Sequence, residues 1–163
     1  MKTLTSHLLF GVTIGAACLL LGVAAQSRTA LAESHIFTAS NEKWKAECSS
    51  CHVAYPPQLL PADSWRTIMA GLDKHFGADA TLDDKSVKEI SRFLEQHAGR
   101  DRQATAGGPI LRITETRWFR NEHSDVPEAA WKNTRVKSAA NCAACHTRAD
   151  SGDFAERSLN VPK

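Results

Sequence analysis

The chain has 163 residues, 42 % of them hydrophobic and 7 % aromatic, enough for one compact domain or two small ones. Twenty Lys and Arg against 18 Asp and Glu leave a net charge of only +2. That balance excludes the basic excess of a nucleic-acid-binding protein, so no nucleic acid is expected among its partners.

Lys2 gives a short basic start, and residues 8–25 form an almost unbroken apolar run. Ala30-Leu31-Ala32 then supplies the small-x-small pattern that signal peptidase recognises. Residues 1–32 therefore read as a cleaved secretory signal, which implies export to the periplasm. The competing reading is an uncleaved anchor, because the apolar run is nearly long enough to span a bilayer. Cys18 follows Gly15-Ala16-Ala17, a poor lipoprotein signal, and reads as part of that run. The two charges before residue 33, Lys2 and Arg28, are both basic, so the remainder carries equal numbers of each sign. The signs are unevenly spread: residues 33–99 hold 7 basic and 10 acidic side chains, and residues 100–163 hold 11 and 8.

Beyond the signal, Ser40 is placed to cap a helix over residues 41–48 that carries Trp44. The stretch Val53-Ala-Tyr-Pro-Pro-Gln-Leu-Leu-Pro61 is too proline-rich for a helix and reads as a loop. Asp63 is placed to cap a second helix. Trp65, Ile68, Met69, Leu72 and Phe76 recur there at helical spacing, with Gly77 as the stop. Thr81 and Asp84 suggest a capping box for a third helix with Val87, Ile90 and Leu94 on one face and Gly99 past its end. Residues 100–110 are polar and contain glycine, which suggests a linker between a first domain at 33–99 and a second at 111–163. In the second, Thr114 is placed to cap a helix through Trp118, Phe119 and His123, and Pro127 to start another containing Trp131. No strand-like alternation persists, so the expected class is all-α and loop-rich, with a thin apolar core.

Cysteine usage is the most informative feature. All four cysteines after the signal sit in two identical contexts, Cys48-Ser-Ser-Cys51-His52 and Cys142-Ala-Ala-Cys145-His146. Two thiols three positions apart reach the two vinyl groups of one porphyrin from a single helical turn. The next residue then points its imidazole at the iron. Each motif therefore predicts one covalently attached haem c, with His52 and His146 as proximal iron ligands. A zinc site would require the pairs to converge on one metal and leaves the following His unexplained. A thioredoxin-like site would require a βαβ context, which is absent.

Five side chains remain as candidates for the sixth iron position: His35, His75, His97, His123 and Met69. His75 is spaced from Ile68 and Leu72 as part of the second helix's apolar stripe, where an unpartnered imidazole is costly and an iron would satisfy it. It also suits a helix C-terminus, whose dipole favours a histidine. His97 has a similar claim nearer its helix end, where capping is the simpler role. Met69 has ordinary core spacing. His123 follows Phe119 by one helical turn. His35 lies just past the cleavage site, in a segment expected to be mobile.

Several stretches carry a resemblance: Cys48-Ser-Ser-Cys51-His52-Val-Ala-Tyr-Pro-Pro-Gln-Leu-Leu-Pro61, residues 65–77 ending in His75-Phe76-Gly77, Ile113-Thr-Glu-Thr-Arg-Trp118-Phe-Arg-Asn-Glu-His123, and Cys142-Ala-Ala-Cys145-His146 through Phe154. Together they resemble the dihaem cytochrome c (DHC) family of bacterial periplasmic cytochromes, over most of the chain after the signal. The resemblance implies two haem-binding halves, the first similar to a small class I cytochrome c, and two bis-histidine haems with His75 and His123 as distal ligands. It also implies redox partners such as an oxygen-binding monohaem cytochrome, the sphaeroides haem protein, and membrane b-type cytochromes. Six-coordinate irons offer no place for a substrate, so the expected function is electron transfer. The rival readings are a haem enzyme or a gas-binding protein with one open iron face. The uneven charge further suggests one partner docking near Asp79, Asp83 and Asp84 and another near Lys132, Arg135 and Lys137.

Overall fold

A computed structural model describes residues 35–100, 104–105 and 108–163. The signal read over residues 1–32 and parts of the linker lie outside those residues. The first helix, α1 (Glu42–Cys48), is capped by Asn41 rather than Ser40. The Asn41 side-chain oxygen accepts from the Trp44 N–H at 2.8 Å, which satisfies one of the donors left free by the first turn. The second, α2 (Ala62–Ala70), starts directly after Pro61 and has no side-chain cap. Asp63 lies inside its first turn, where a negative charge favours the helix dipole.

The stop of α2 differs from expectation and matters for function. The helix ends at Gly71, not Gly77, and a tight 3-10 turn over Leu72–Lys74 follows. His75 therefore leaves the helical stripe and sits at the end of that turn. Phe76 and Gly77 are both in the left-handed region, with φ of 50° and 101°. Glycine adopts that conformation freely, whereas Phe76 is strained by about 1–2 kcal/mol. The reversal is closed by Ala78 N–H donating to the His75 carbonyl (3.0 Å) and Ala80 N–H to the Leu72 carbonyl (2.9 Å).

The third helix, α3 (Asp84–Gln96), is capped by Asp83, which accepts from the backbone N–H groups of Lys85 and Ser86. Thr81 instead bonds Asp79 through its hydroxyl and its N–H. The carboxyls of Asp79 and Asp83 are held below their usual range by the hydroxyls of Thr81 and Ser86 respectively. Asp84 lies in the first turn of α3, where its charge favours the helix dipole, so all three acids suggested for docking also have a local structural role.

Helices α1 to α3 enclose the main core, made of Trp44, Leu60, Trp65, Ile68, Met69, Ile90, Phe93 and Leu94. Trp44 packs on Phe93 with ring centroids 5.2 Å apart. Trp65 donates its indole N–H to the Pro57 carbonyl at 2.7 Å, which pins the proline-rich loop to α2. Residues 104–105 and 108–109 form a two-stranded antiparallel ribbon, the one sheet among the described residues.

Next, α4 (Arg117–Glu122) is capped by Thr116 rather than Thr114, because a 3-10 turn over Ile113–Glu115 precedes it. Pro127 leads into α5 (Glu128–Trp131) as expected. The rest is loop with 3-10 turns at Cys142–Ala144, Ala149–Ser151 and Glu156–Ser158. The buried apolar residues here are Phe119, Ala130, Val136, Ala149 and Ala155, a smaller and thinner set than in the helical core. Asp153, 3 % exposed, is tied down by Arg157 (2.8 Å), Arg148 (3.4 Å) and the Ala155 N–H (3.1 Å).

The first described residues are anchored to this region. Phe37 N–H donates to the Gly152 carbonyl, and Phe154 N–H to the His35 carbonyl, both at 2.9 Å. Gly152 has φ of 76°, and a Cβ there would lie 2.3 Å from the Phe37 carbonyl oxygen. Gly152→Ala is expected to destabilise by at least about 1–2 kcal/mol from the left-handed backbone alone, seen as a lower melting temperature. An unchanged melting temperature would contradict this close approach.

Candidate haem sites

The first C-x-x-C-H motif starts at the last residue of α1. Cys48 is half-buried, Cys51 is exposed, and His52 follows in the turn. The His52 Nδ1 faces the Val53 carbonyl at 2.7 Å. A hydrogen bond there fixes the ring and leaves Nε2 free to ligate. The strained turn at Phe76 and Gly77 holds His75 opposite, with the two imidazole centroids 6.2 Å apart and the ring planes 22° from parallel. Tyr55 stacks on His52 at 4.5 Å, and Phe76 packs edge-on against His75 at 4.9 Å. Burial, aided by the nearby His52 ring, lowers the pKa of His75 and so favours its neutral, ligating form.

The second motif lies in a 3-10 turn, with the His146 N–H bonded to the Cys142 carbonyl at 2.8 Å. His123 sits at the C-cap of α4. Its Nδ1 faces the Phe119 carbonyl at 2.9 Å, and its ring stacks on Phe119 at 4.0 Å. His123 and His146 have centroids 6.1 Å apart with planes at 69°. His146 packs against Phe154 at 5.1 Å. Its Nδ1 is buried without a well-formed hydrogen bond, the Phe154 backbone offering only a weak one. Burial, then the His123 ring, lowers the His146 pKa.

The residues present fit two haems. One metal between two imidazole nitrogens, each ~2.0 Å away, holds the ring centroids ~6 Å apart, which is the spacing of both pairs. None of the four motif cysteines is paired in a disulfide, which leaves all four for thioether bonds. Burial pushes Cys48 and Cys142 up to about 11, with help from Glu47 and Cys145 respectively. Burial also raises Cys145. No three His, Cys, Asp or Glu side chains converge as a metal site among the described residues.

The other candidates make no ring contact with His52 or His146, although His35 lies close enough to His146 to help lower its pKa. His97 is exposed at the end of α3, with its Nδ1 on the Phe93 carbonyl at 2.9 Å. Met69 is buried in the helical core. His35, expected to be mobile, is instead held by Glu122 (3.2 Å) and lies edge-on to Trp118 (5.8 Å). The backbone pairing of its segment with residues 152–154 explains the difference.

Residues 44–154 match the sequence profile of the dihaem cytochrome c family. The chain belongs to that family. The cytochrome is 38 % identical to a diheme cytochrome c from Rhodobacter sphaeroides, over 72 % of this chain and 99 % of that one, with a TM-score of 0.66. It is 40 % identical to the diheme cytochrome sb-DHC from Shewanella baltica OS155, over 75 % of this chain and 93 % of that one, with a TM-score of 0.65. No curated protein matches it significantly. The cytochrome binds two haem c groups covalently and transfers electrons rather than catalysing a reaction. The enzyme and gas-binding alternatives find no support in these likenesses.

Several residues that shape the two sites were not singled out from the sequence. Tyr55 stacks on His52, Thr116 caps the helix that presents His123, and Asp153 braces the loop after His146. Phe119 one helical turn before His123 was a visible signal. Tyr55 gave none, because nothing in a proline-rich stretch shows which way an aromatic points.

Proposed function

We propose that this is a periplasmic electron carrier with two haem-binding halves, residues 33–99 and 111–163, each holding one bis-histidine haem. Cys48 and Cys51 would bind the first through thioethers, with His52 and His75 as its iron ligands. Cys142 and Cys145 would bind the second, with His146 and His123. Bound in this way, each group accepts or releases one electron without changing its ligands. Aromatic contacts at all four imidazoles, and Nδ1 hydrogen bonds at His52 and His123, would hold the rings in place through that change. Export through the segment at residues 1–32 would deliver the chain to the periplasm.

The observation that carries the reading is the pairing of each motif histidine with one further imidazole at 6.2 and 6.1 Å. The two pairs differ in ring orientation, at 22° and 69°. Each imidazole raises one iron dπ orbital. Near-parallel rings raise the same one, whereas near-perpendicular rings raise both. The oxidised protein is therefore expected to show two distinct low-spin electron paramagnetic resonance signals. His52 and His75 should give a rhombic one, and His146 and His123 a highly anisotropic one. Any high-spin or methionine-ligated haem in the native protein would refute the assignment.

A further inference from the structure

Tyr55 occupies a position that ligation alone does not explain. Its ring lies on His52, with centroids 4.5 Å apart and planes within 15°. Its hydroxyl donates to the Ala140 carbonyl at 2.6 Å, across 85 residues of sequence. The same carbonyl accepts the Cys142 N–H at 3.0 Å. One half-buried side chain thus touches a histidine of the first motif and, through a single shared carbonyl, the first cysteine of the second.

We infer that Tyr55 is the electronic bridge between the two haems. This deepens the proposed function and rests on His52 being an iron ligand and Cys142 an attachment residue. The route runs from the His52 imidazole through the stacked Tyr55 ring and its hydroxyl to the Ala140 carbonyl. From there it passes through the Cys142 N–H and side chain to the second thioether. Bonded and stacked atoms couple electronic states better than a gap of equal length. With both groups bound, the route would carry one electron from the ferrous iron that His52 would hold to the ferric iron of the group that Cys142 would attach, or the reverse, one iron losing the electron that the other gains. No proton crosses, and Tyr55 keeps its own proton and oxidation state.

The side chain is well suited to being held still. The Pro56 and Pro57 that follow it are buried and restrict the backbone. On the other side, Asn141 donates its side-chain N–H to the Val136 carbonyl at 3.1 Å, which fixes the segment carrying Ala140. Removing the Tyr55 hydroxyl leaves the Ala140 carbonyl still paired with the Cys142 N–H, so no acceptor is orphaned. A stability effect and a coupling effect can therefore be separated.

The test uses the two-haem protein and two variants. Tyr55→Phe removes the hydroxyl and keeps the ring; Tyr55→Leu removes both. One electron is injected by flash photoreduction, and its redistribution between the haems is followed by their distinct spectra. Internal equilibration should slow several-fold in Tyr55→Phe and further in Tyr55→Leu. In Tyr55→Phe both reduction potentials and the low-spin signals should stay as in wild type, and the melting temperature should stay close to it. A wild-type equilibration rate in Tyr55→Phe overturns the bridge. If Tyr55→Leu also disturbs His52 ligation, the Tyr55→Phe rate decides. A wild-type protein without two low-spin haems would overturn the ligand assignment itself, which separates that failure from failure of the bridge.

Discussion

Replacing His123 by glycine is expected to leave the iron held by His146 five-coordinate and to create fast carbon monoxide binding in the reduced protein. Wild type should bind little. The expectation rests on geometry: among the described residues His123 is the imidazole whose ring faces His146 at 6.1 Å, and its Nδ1 is already engaged with Phe119. His75→Gly should do the same at the other haem. Each variant should convert one haem and leave the other's signal intact. Met69→Leu should change neither, since Met69 is buried in the core and the swap nearly conserves volume. If His123→Gly keeps both low-spin signals and binds no carbon monoxide, His35, held beside Trp118, becomes the candidate to replace next.

The second large effect is expected from the paired substitution Cys142→Ala and Cys145→Ala. The intact mass should fall by one haem, and residues 111–163 should lose their ordered structure. Their own apolar burial rests on Phe119, Val136 and three alanines. A haem burying about 400 Å² of apolar surface contributes ~10 kcal/mol at ~25 cal/mol/Å², as much as the whole stability of a typical domain. Limited proteolysis should then cut within residues 111–163 and spare α1 to α3. The matching pair Cys48→Ala and Cys51→Ala should be milder in structure, because Trp44, Trp65, Ile90, Phe93 and Leu94 still pack together. A double variant at Cys142 and Cys145 that melts as wild type would show that the second region folds on its own side chains.

The helix starts show how far local chemistry can be read from sequence. Three caps fell within two residues of their expected places, with Asn41, Asp83 and Thr116 taking the role of Ser40, Thr81 and Thr114, whereas α2 starts after Pro61 without the cap expected of Asp63. Adjacent polar residues compete for the same free N–H groups, and the winner depends on the turn that leads in, which is not visible from residue types. Gly71 and Gly77 present the same ambiguity at the end of α2. Both are acceptable stops, and the difference decides whether His75 lies on a helix face or in a turn.

The sequence by itself determined the chemistry of attachment. Cys48, Cys51 and His52, like Cys142, Cys145 and His146, stand within five consecutive residues, so their spacing alone carries the expectation of covalent haem. It also narrowed the sixth ligand to five side chains, among which residue types could not choose. Only the tertiary structure decided which imidazole faces which motif, how each ring is turned, and that Tyr55 reaches from one motif to the other. Those contacts join residues 23 positions apart in both histidine pairs and 85 apart at Tyr55 and Ala140. Their geometry is set by where the chain reverses, at Phe76 and Gly77 and in the loops leading to Cys142, and a reversal depends on packing that no local pattern records.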